Sequence, residues 1–241
     1  MDVVTNKLPY QIYKKLLKHF GPQGWWPIGG IYNPKKKRFT DNEKFEIMTG
    51  AILTQNTAWN NVEKALSNLR KEKKLNIEHI SKINLKKLQT LIKPSGFYKQ
   101  KATRLKNFAK TILAFKTLNN IERSELLSLN GVGPETADSI LLYALEKPYF
   151  VVDAYTKRII NRLAIFKSED YDEIQNFFQN NLPKNVGIYK EYHALIVELA
   201  KKHCKNKPDC KKCPIIANCA DSQPRCKPRR SLQERRRGVG T

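Results

Sequence analysis

Apolar residues recur three or four positions apart along nearly the whole chain. Ile12, Leu16 and Phe20 share one helical face, as do Phe45, Met48 and Ile52; Val62, Ala65, Leu66 and Leu69; and Leu85, Leu88 and Ile92. The spacing returns at Leu105, Phe108, Ile112 and Phe115, at Ile159, Leu163 and Phe166, at Ile174 and Phe178, and at Tyr192, Leu195 and Leu199. These are stripes of amphipathic helices, and no two-residue alternation competes with them. Glycine and proline fall between the stripes, at Gly21-Pro22, Pro27 to Pro34, Pro94 to Gly96, Gly131 to Pro134 and Pro183 to Gly187. The pattern predicts an all-α protein of about ten short helices.

The 241 residues carry 45 Lys and Arg against 22 Asp and Glu, a formal charge of +23. Such an excess suits a polyanion, because a basic face gains affinity for nucleic acid by releasing condensed counterions. A solvated Lys-rich surface gives the same count, so charge alone assigns no chemistry. The 40% apolar content is enough for a core. No stretch approaches the roughly 18 apolar residues of a membrane span. The first twenty residues lack an apolar core and a small-residue cleavage site, which predicts no secretory signal and a cytoplasmic, nucleoid-associated protein.

Two segments depart from the helical pattern. Gly21 to Phe39 reads as a long loop with adjacent Trp25 and Trp26 and a basic run from Lys35 to Arg38. Residues 222–241 have almost no apolar side chains and seven Lys or Arg. Their burial cannot offset the entropy of ordering, so a disordered basic tail is expected.

The sharpest motif is Leu129-Asn130-Gly131-Val132-Gly133-Pro134-Glu135-Thr136-Ala137. A short helix leads into a Gly-Val-Gly turn and a second helix leaves it. Glycine there permits close backbone approach and positive φ, and the free N–H groups of the second helix suit a phosphate. This reads as a helix-hairpin-helix that grips a nucleic-acid backbone without reading bases. Shortly afterwards Phe150-Val151-Val152 delivers Asp153 just ahead of a new helical stripe. Its carboxylate suits either a helix N-cap or an acid facing a reacting sugar.

Of five cysteines, Cys204, Cys210, Cys213 and Cys219 are clustered and Cys226 stands apart. An odd, clustered set in an apparently cytosolic chain does not read as a disulfide framework.

Taken in order, L-x-G-V-G-x-x-T-A and V-V-D-x-x-T-x-R resemble the helix-hairpin-helix DNA glycosylases similar to endonuclease III. Leu53-Thr54-Gln55-Asn56-Thr57 is similar to the loop whose Gln fills the gap left by a flipped base. Gly96-Phe97-Tyr98-Lys99-Gln100-Lys101-Ala102 is similar to the loop that wedges the opposite strand, with Phe97 as the wedge. The resemblance spans roughly residues 40 to 220 and implies a monomer acting on double-stranded DNA with a damaged base. It places DNA contacts at Gln55, Phe97, Gly131, Gly133 and Thr136. It also implies a [4Fe–4S] cluster on Cys204, Cys210, Cys213 and Cys219, with zinc as the alternative. The spacing here, C-x5-C-x2-C-x5-C, is one residue shorter than the family's usual first gap.

A second departure bears on mechanism. Bifunctional members carry a Lys two residues after the second hairpin glycine, and its amine forms a Schiff base with the sugar. This chain has Glu135, and a carboxylate cannot form an imine. The expectation is therefore a monofunctional glycosylase in which Asp153 assists water, leaving an abasic site. The segment Gly24-Trp25-Trp26-Pro27 and Phe45 resemble the 3-methyladenine DNA glycosylases of the endonuclease III type. That branch implies a base pocket of Trp25, Trp26, Pro27, Phe45, Glu135 and Lys201. Trp59 reads as packing only. Rival readings are a glycosylase for oxidised pyrimidine or a uracil or thymine mismatch, and a non-catalytic DNA-binding module.

The expected organisation is a six-helix lobe at 40–148 containing the hairpin. A second helical lobe combines 1–39 with 149–221 and ends in the cysteine loop, and the tail 222–241 lies outside the fold.

Overall fold

The computed structural model describes residues 7–36 and 38–220. The expected tail and Cys226 lie outside the described residues. The fold is all-α as expected. Among the described residues there is no strand, only an isolated bridge between Ile28 and Ile31. Among the described residues no helix is long and apolar enough to cross a membrane.

The helices are α1 (Leu8–Phe20), α2 (Asp41–Leu53), α3 (Trp59–Lys71), α4 (Ile77–Lys82), α5 (Leu85–Leu91), α6 (Tyr98–Ile112), α7 (Arg123–Leu127), α8 (Pro134–Ser139), α9 (Ala154–Leu163), α10 (Tyr171–Asn181) and α11 (Val186–Lys202). α8 runs straight into a wholly buried π-helical turn, Ile140–Ala144. Local chemistry sets many of the starts. Thr40 and Glu43 form a reciprocal capping box for α2, while Asn76, Asn84, Asp153, Asp170 and Asn185 each cap a helix by accepting a backbone N–H.

α2 is the central helix. Every residue from Phe45 to Leu53 is buried, so it packs on all sides, against α3, α6, α8 and the π turn. α4 and α5 lean on α6, and α7 on α8. On the other side α1 packs against α10 and α11, and α9 against α11. The π turn touches both groups, meeting α2 and α11.

A buried polar network also crosses between them. Asp138 on α8 is fully buried and accepts from Arg123 Nε at 2.7 Å and Nη2 at 3.1 Å, from Tyr171 Oη at 2.9 Å and from Gln175 Nε2 at 2.7 Å. Gln175 also donates to the Phe150 carbonyl at 2.7 Å. Four donors on one carboxylate satisfy it as an ion, which burial otherwise forbids.

Candidate functional site

A cavity of about 490 Å³ opens where the two helical groups meet. Its wall brings together the Trp25–Trp26 loop, the loop after α2 with Gln55, the start of α3 with Trp59, the hairpin with Glu135 and Thr136, Asp153, and the α11 face carrying His193, Val197 and Lys201.

Asp153 both caps α9 and lines the cavity. The buried extended run Phe150-Val151-Val152 feeds it to the first position before α9. Its Oδ1 caps that helix, accepting from the Thr156 N–H at 2.7 Å and the Thr156 hydroxyl at 2.8 Å. Its Oδ2 stays on the cavity side, 3.6 Å from His193 Nε2. Burial pushes the Asp153 carboxyl up, but the His193 side chain and the two Thr156 bonds outweigh it and hold the pKa below the ordinary value. Glu135 behaves oppositely. It reaches solvent, yet the surrounding wall desolvates its carboxyl and the Asp153 charge adds to the effect, so its pKa is raised. Two carboxylates in one cavity with pKa values driven apart are the arrangement from which separate acid and base roles arise.

An aromatic wall faces them. Trp25 meets Trp59 edge to face with centroids 4.8 Å apart; Trp26 meets Trp59 and Tyr143, each at 5.3 Å. The peptide between Trp25 and Trp26 is cis. The loop carrying them is braced at both ends. The Gln23 N–H donates to Glu191 on α11 at 2.7 Å, and the Gly29 N–H donates to Glu46 on α2 at 2.8 Å, with Arg70 bridging Glu46 and Glu63. Gly50 makes room for the indole: a Cβ there would stand 2.9 Å from Trp26 Nε1.

Three placements correct the sequence reading. Phe45 is completely buried on α2 and does not line the cavity, because a helix packed on every side turns its apolar residues into the core. Pro27 is also absent from the lining. Trp59, read as packing, stands on the wall. The residues missed altogether are Tyr143 and His193. A signal for His193 existed: it lies eight residues before Lys201, two helical turns along the same face.

The hairpin is tied to the loop after α2. Gln55 Nε2 donates to the Gly131 carbonyl at 2.8 Å and to Thr136 Oγ1 at 3.0 Å, and Arg104 donates to Gln55 Oε1 at 3.3 Å. Gly131 has φ +81°, which L side chains rarely adopt, and a Cβ there would displace the Arg104 side chain. Gly133 has φ −90° with open space beside it; its lack of a side chain leaves the start of α8 bare rather than meeting a steric demand.

Phe97 projects at 65% exposure from a left-handed residue ahead of α6. Beneath it the buried Lys101 Nζ donates to the Leu53 carbonyl at 2.8 Å and the Ser95 carbonyl at 2.7 Å, joining the loop after α2 to the Phe97 loop. Burial and then the Arg104 charge bring its pKa down to about 8. An amine retains two N–H groups, so both bonds survive deprotonation. The unfolded chain then binds more protons than the folded one above about pH 8, and stability contributed by this site rises with pH until the ordinary lysine pKa. Lys101→Met should lower stability by about 2 kcal/mol, from two buried carbonyls losing their donor. It should also flatten that rise, as read by urea melts across the alkaline range.

At the end of α11 the cysteine loop folds back on α9. Cys204, Cys213 and Cys219 are half-buried, and Cys210 is disulfide-bonded. Burial first, then the charges of Cys204 and Cys219, raise the Cys213 thiol, so three sulfurs lie within electrostatic reach of one another. Arg162 donates to Cys204 Sγ at 3.2 Å and to the Lys205 carbonyl at 2.7 Å. No group of three or more His, Cys, Asp or Glu among the described residues is arranged to hold a single metal ion. Four cysteines are the residue type that ligates an iron–sulfur cluster, and Cys210, disulfide-bonded here, would have to be reduced to join the other three.

The family model described as "HhH-GPD superfamily base excision DNA repair protein" matches residues 49–184. The chain is 48% identical over 223 residues to a protein of Methanocaldococcus jannaschii provisionally named a DNA repair glycosylase, covering 87% of this chain and 94% of that one. It is 33% identical over 190 residues to endonuclease III of Thermotoga maritima, covering 76% and 87%. Among solved structures, the H. pylori 3-methyladenine DNA glycosylase bound to 1,N6-ethenoadenine superposes with a TM-score of 0.66 at 33% identity, covering 80% of this chain and 97% of that one.

Proposed function

The chain belongs to the HhH-GPD superfamily of base excision DNA repair proteins, and from that premise we propose that it is a monofunctional glycosylase for an alkylated purine. The observation that carries this reading is the single cavity in which an ionised Asp153, the carboxyl of Glu135 and a wall of Trp25, Trp26 and Trp59 face one another.

A 3-methylated adenine is cationic and its glycosidic bond is already weakened. Once flipped out it needs π-faces to replace its lost stack, and each cation–π contact is worth about 0.5–2 kcal/mol, a gain that neutral adenine does not share. Glu135 would add a favourable charge to the pocket. As the bond lengthens the sugar gains positive charge, and the Asp153 carboxylate stabilises it and orients the attacking water. The position of the family's lyase amine holds Glu135, and Lys201, the amine on the cavity wall, comes from α11. Water therefore takes the nucleophile's part.

In this reading the lobes at 40–148 and at 1–39 with 149–221 clamp double-stranded DNA across the cavity mouth. Gly131, Gly133 and Thr136 meet the phosphates, Gln55 fills the space the base vacates, and Phe97 wedges the opposite strand. Cys204, Cys210, Cys213 and Cys219 would hold a [4Fe–4S] cluster. When bound, the cluster supplies rigidity to a loop whose Lys205, Lys207, Lys211 and Lys212 suit phosphate contact.

Incubation with randomly methylated duplex DNA should release 3-methyladenine without strand cleavage, scored separately by chromatography and on denaturing gels. Borohydride should trap no covalent enzyme–DNA adduct. Release of only uracil, thymine or oxidised pyrimidine would move the substrate elsewhere, and efficient trapping would restore an amine nucleophile.

A further inference from the structure

A second cavity, of about 350 Å³, lies between α6 and the hairpin turn. Phe108 and Val132 belong to its apolar lining, and Gln100, Arg104, Asn107 and Asn130 supply polar groups. Gln100, Arg104 and Asn107 follow one another at steps of four and three, so they share one face of the helix that the Phe97 loop opens. No carboxylate lines the cavity, and Arg104 is its charged residue. The Arg104 side chain crosses Gly131: Cδ, Nε and Cζ all lie within 2.7 Å of where a Cβ would stand there. One N–H goes from Nη1 to Gln55 Oε1 at 3.3 Å. Among the described residues Arg104 pairs with no carboxylate, and its charge falls instead on Lys101, a second cation. The buried side-chain nitrogens left without a partner there are Trp26 Nε1, Arg158 Nε and His193 Nε2. None belongs to Arg104, so its uncommitted N–H groups are open to solvent.

We infer that Arg104 and this second cavity form a phosphate site for the DNA backbone, separate from the N–H groups at the start of α8. An unpaired guanidinium beside another cation, with no acid on the cavity wall, leaves a positive potential that an anion neutralises. The guanidinium fork has N–H groups to spare after Gln55 takes one, and a phosphodiester accepts two of them side by side. Gln100, Asn107 and Asn130 are exposed amides whose N–H groups suit the same oxygens. Asn130 sits in the hairpin turn, so the cavity continues the surface proposed above to grip the backbone. That continuity makes the anion a phosphate of the bound duplex and not a free one. The same residue aims Gln55. The Gly131 carbonyl only accepts and the guanidinium only donates, so the Gln55 amide has one orientation, Nε2 toward the hairpin and Oε1 toward Arg104. A grip on the backbone and the side chain that fills the vacated space thus meet at one arginine.

This inference rests on the DNA-binding part of the reading above and is indifferent to the lesion, so binding tests it without base release. Affinity for a duplex with an uncleavable abasic site is measured against salt for the wild-type chain, Arg104→Met and Arg104→Lys, each first shown to be folded by a thermal melt. Every phosphate contact contributes about −0.9 to the slope of log K on log salt. Arg104→Met should make the slope shallower by about that amount, and Arg104→Lys, which keeps the charge, should restore it. The same duplex is then built with single methylphosphonates, each removing one backbone charge. At one position the substitution should weaken the wild type about tenfold and Arg104→Met scarcely at all. A role confined to aligning Gln55 would move neither the slope nor that one position. If Arg104→Met fails to fold, Arg104→Gln takes its place. An unchanged slope, or a neutral variant that feels every methylphosphonate as the wild type does, overturns the inference while the glycosylase reading stands. A wild type that binds duplex and shows the expected pattern but releases no base sinks that reading and leaves this site in place. A wild type that binds no duplex overturns both.

Discussion

Replacing Asp153 with asparagine should lower the rate of base release by roughly 10²–10⁴-fold, the usual range for removing a positioned acid or base. Stability should stay within about 1 kcal/mol of the parent, because asparagine is as good an N-cap as aspartate. The geometry separates the two effects. Oδ1 carries the structural bonds to Thr156 at 2.7 and 2.8 Å, and an amide oxygen accepts both. Oδ2 faces the cavity and His193, and only there does the lost charge matter. Alanine would confuse the test, since it removes cap and charge together. Single-turnover release and a thermal melt on the same preparation check the pair of outcomes. A variant that still releases base at the parental rate would show that Asp153 is a cap and nothing more, and the non-catalytic DNA-binding alternative would then account for the hairpin.

That dual placement shows where sequence reasoning reaches and where it stops. The three- and four-residue stripes located the core well, since Ile12, Leu16, Val62, Leu88, Leu105 and Ile174 are all at or near complete burial. Periodicity is a property of one helix, and burial of one face follows from it. It failed at α2, where both faces are buried and the stripe no longer tells core from cavity. Phe45 was misplaced for that reason, while Gly50 and Ala51 on the same helix face Trp26 and the cavity. The hairpin glycines were legible as a motif, yet of the two only Gly131 holds the positive φ that requires glycine. Tyr143 was invisible because it lies in a buried apolar run, and only the turn that follows α8 brings its hydroxyl to His193. Polar residues that work across elements leave no local signature.

Asp138 is the strongest case of that kind, and it predicts the largest loss of stability. In sequence it is a polar residue in the first turns of a helix, where an acid usually meets solvent and the helix dipole. In the structure it is fully buried and gathers Arg123, Tyr171 and Gln175 from α7 and α10. Asp138→Ala should cost about 3–5 kcal/mol, the range for breaking a buried pair from one side. The loss comes less from the bonds themselves than from the groups left behind, a guanidinium and a phenol that exchange a charged acceptor for a methyl group. Against a typical total of about 5–15 kcal/mol, this is enough to unfold much of the population. Asp138→Asn should cost less, since its oxygen keeps part of the network while its amide meets Arg123 with the wrong polarity. Urea melts of both variants check the order. If alanine proves as stable as asparagine, the network is not what joins the hairpin helix to α10. Base release should fall with the folded fraction and not ahead of it, because Asp138 does not line the cavity. That proportionality distinguishes a residue that holds the site together from Asp153, whose loss should silence a protein that still melts normally.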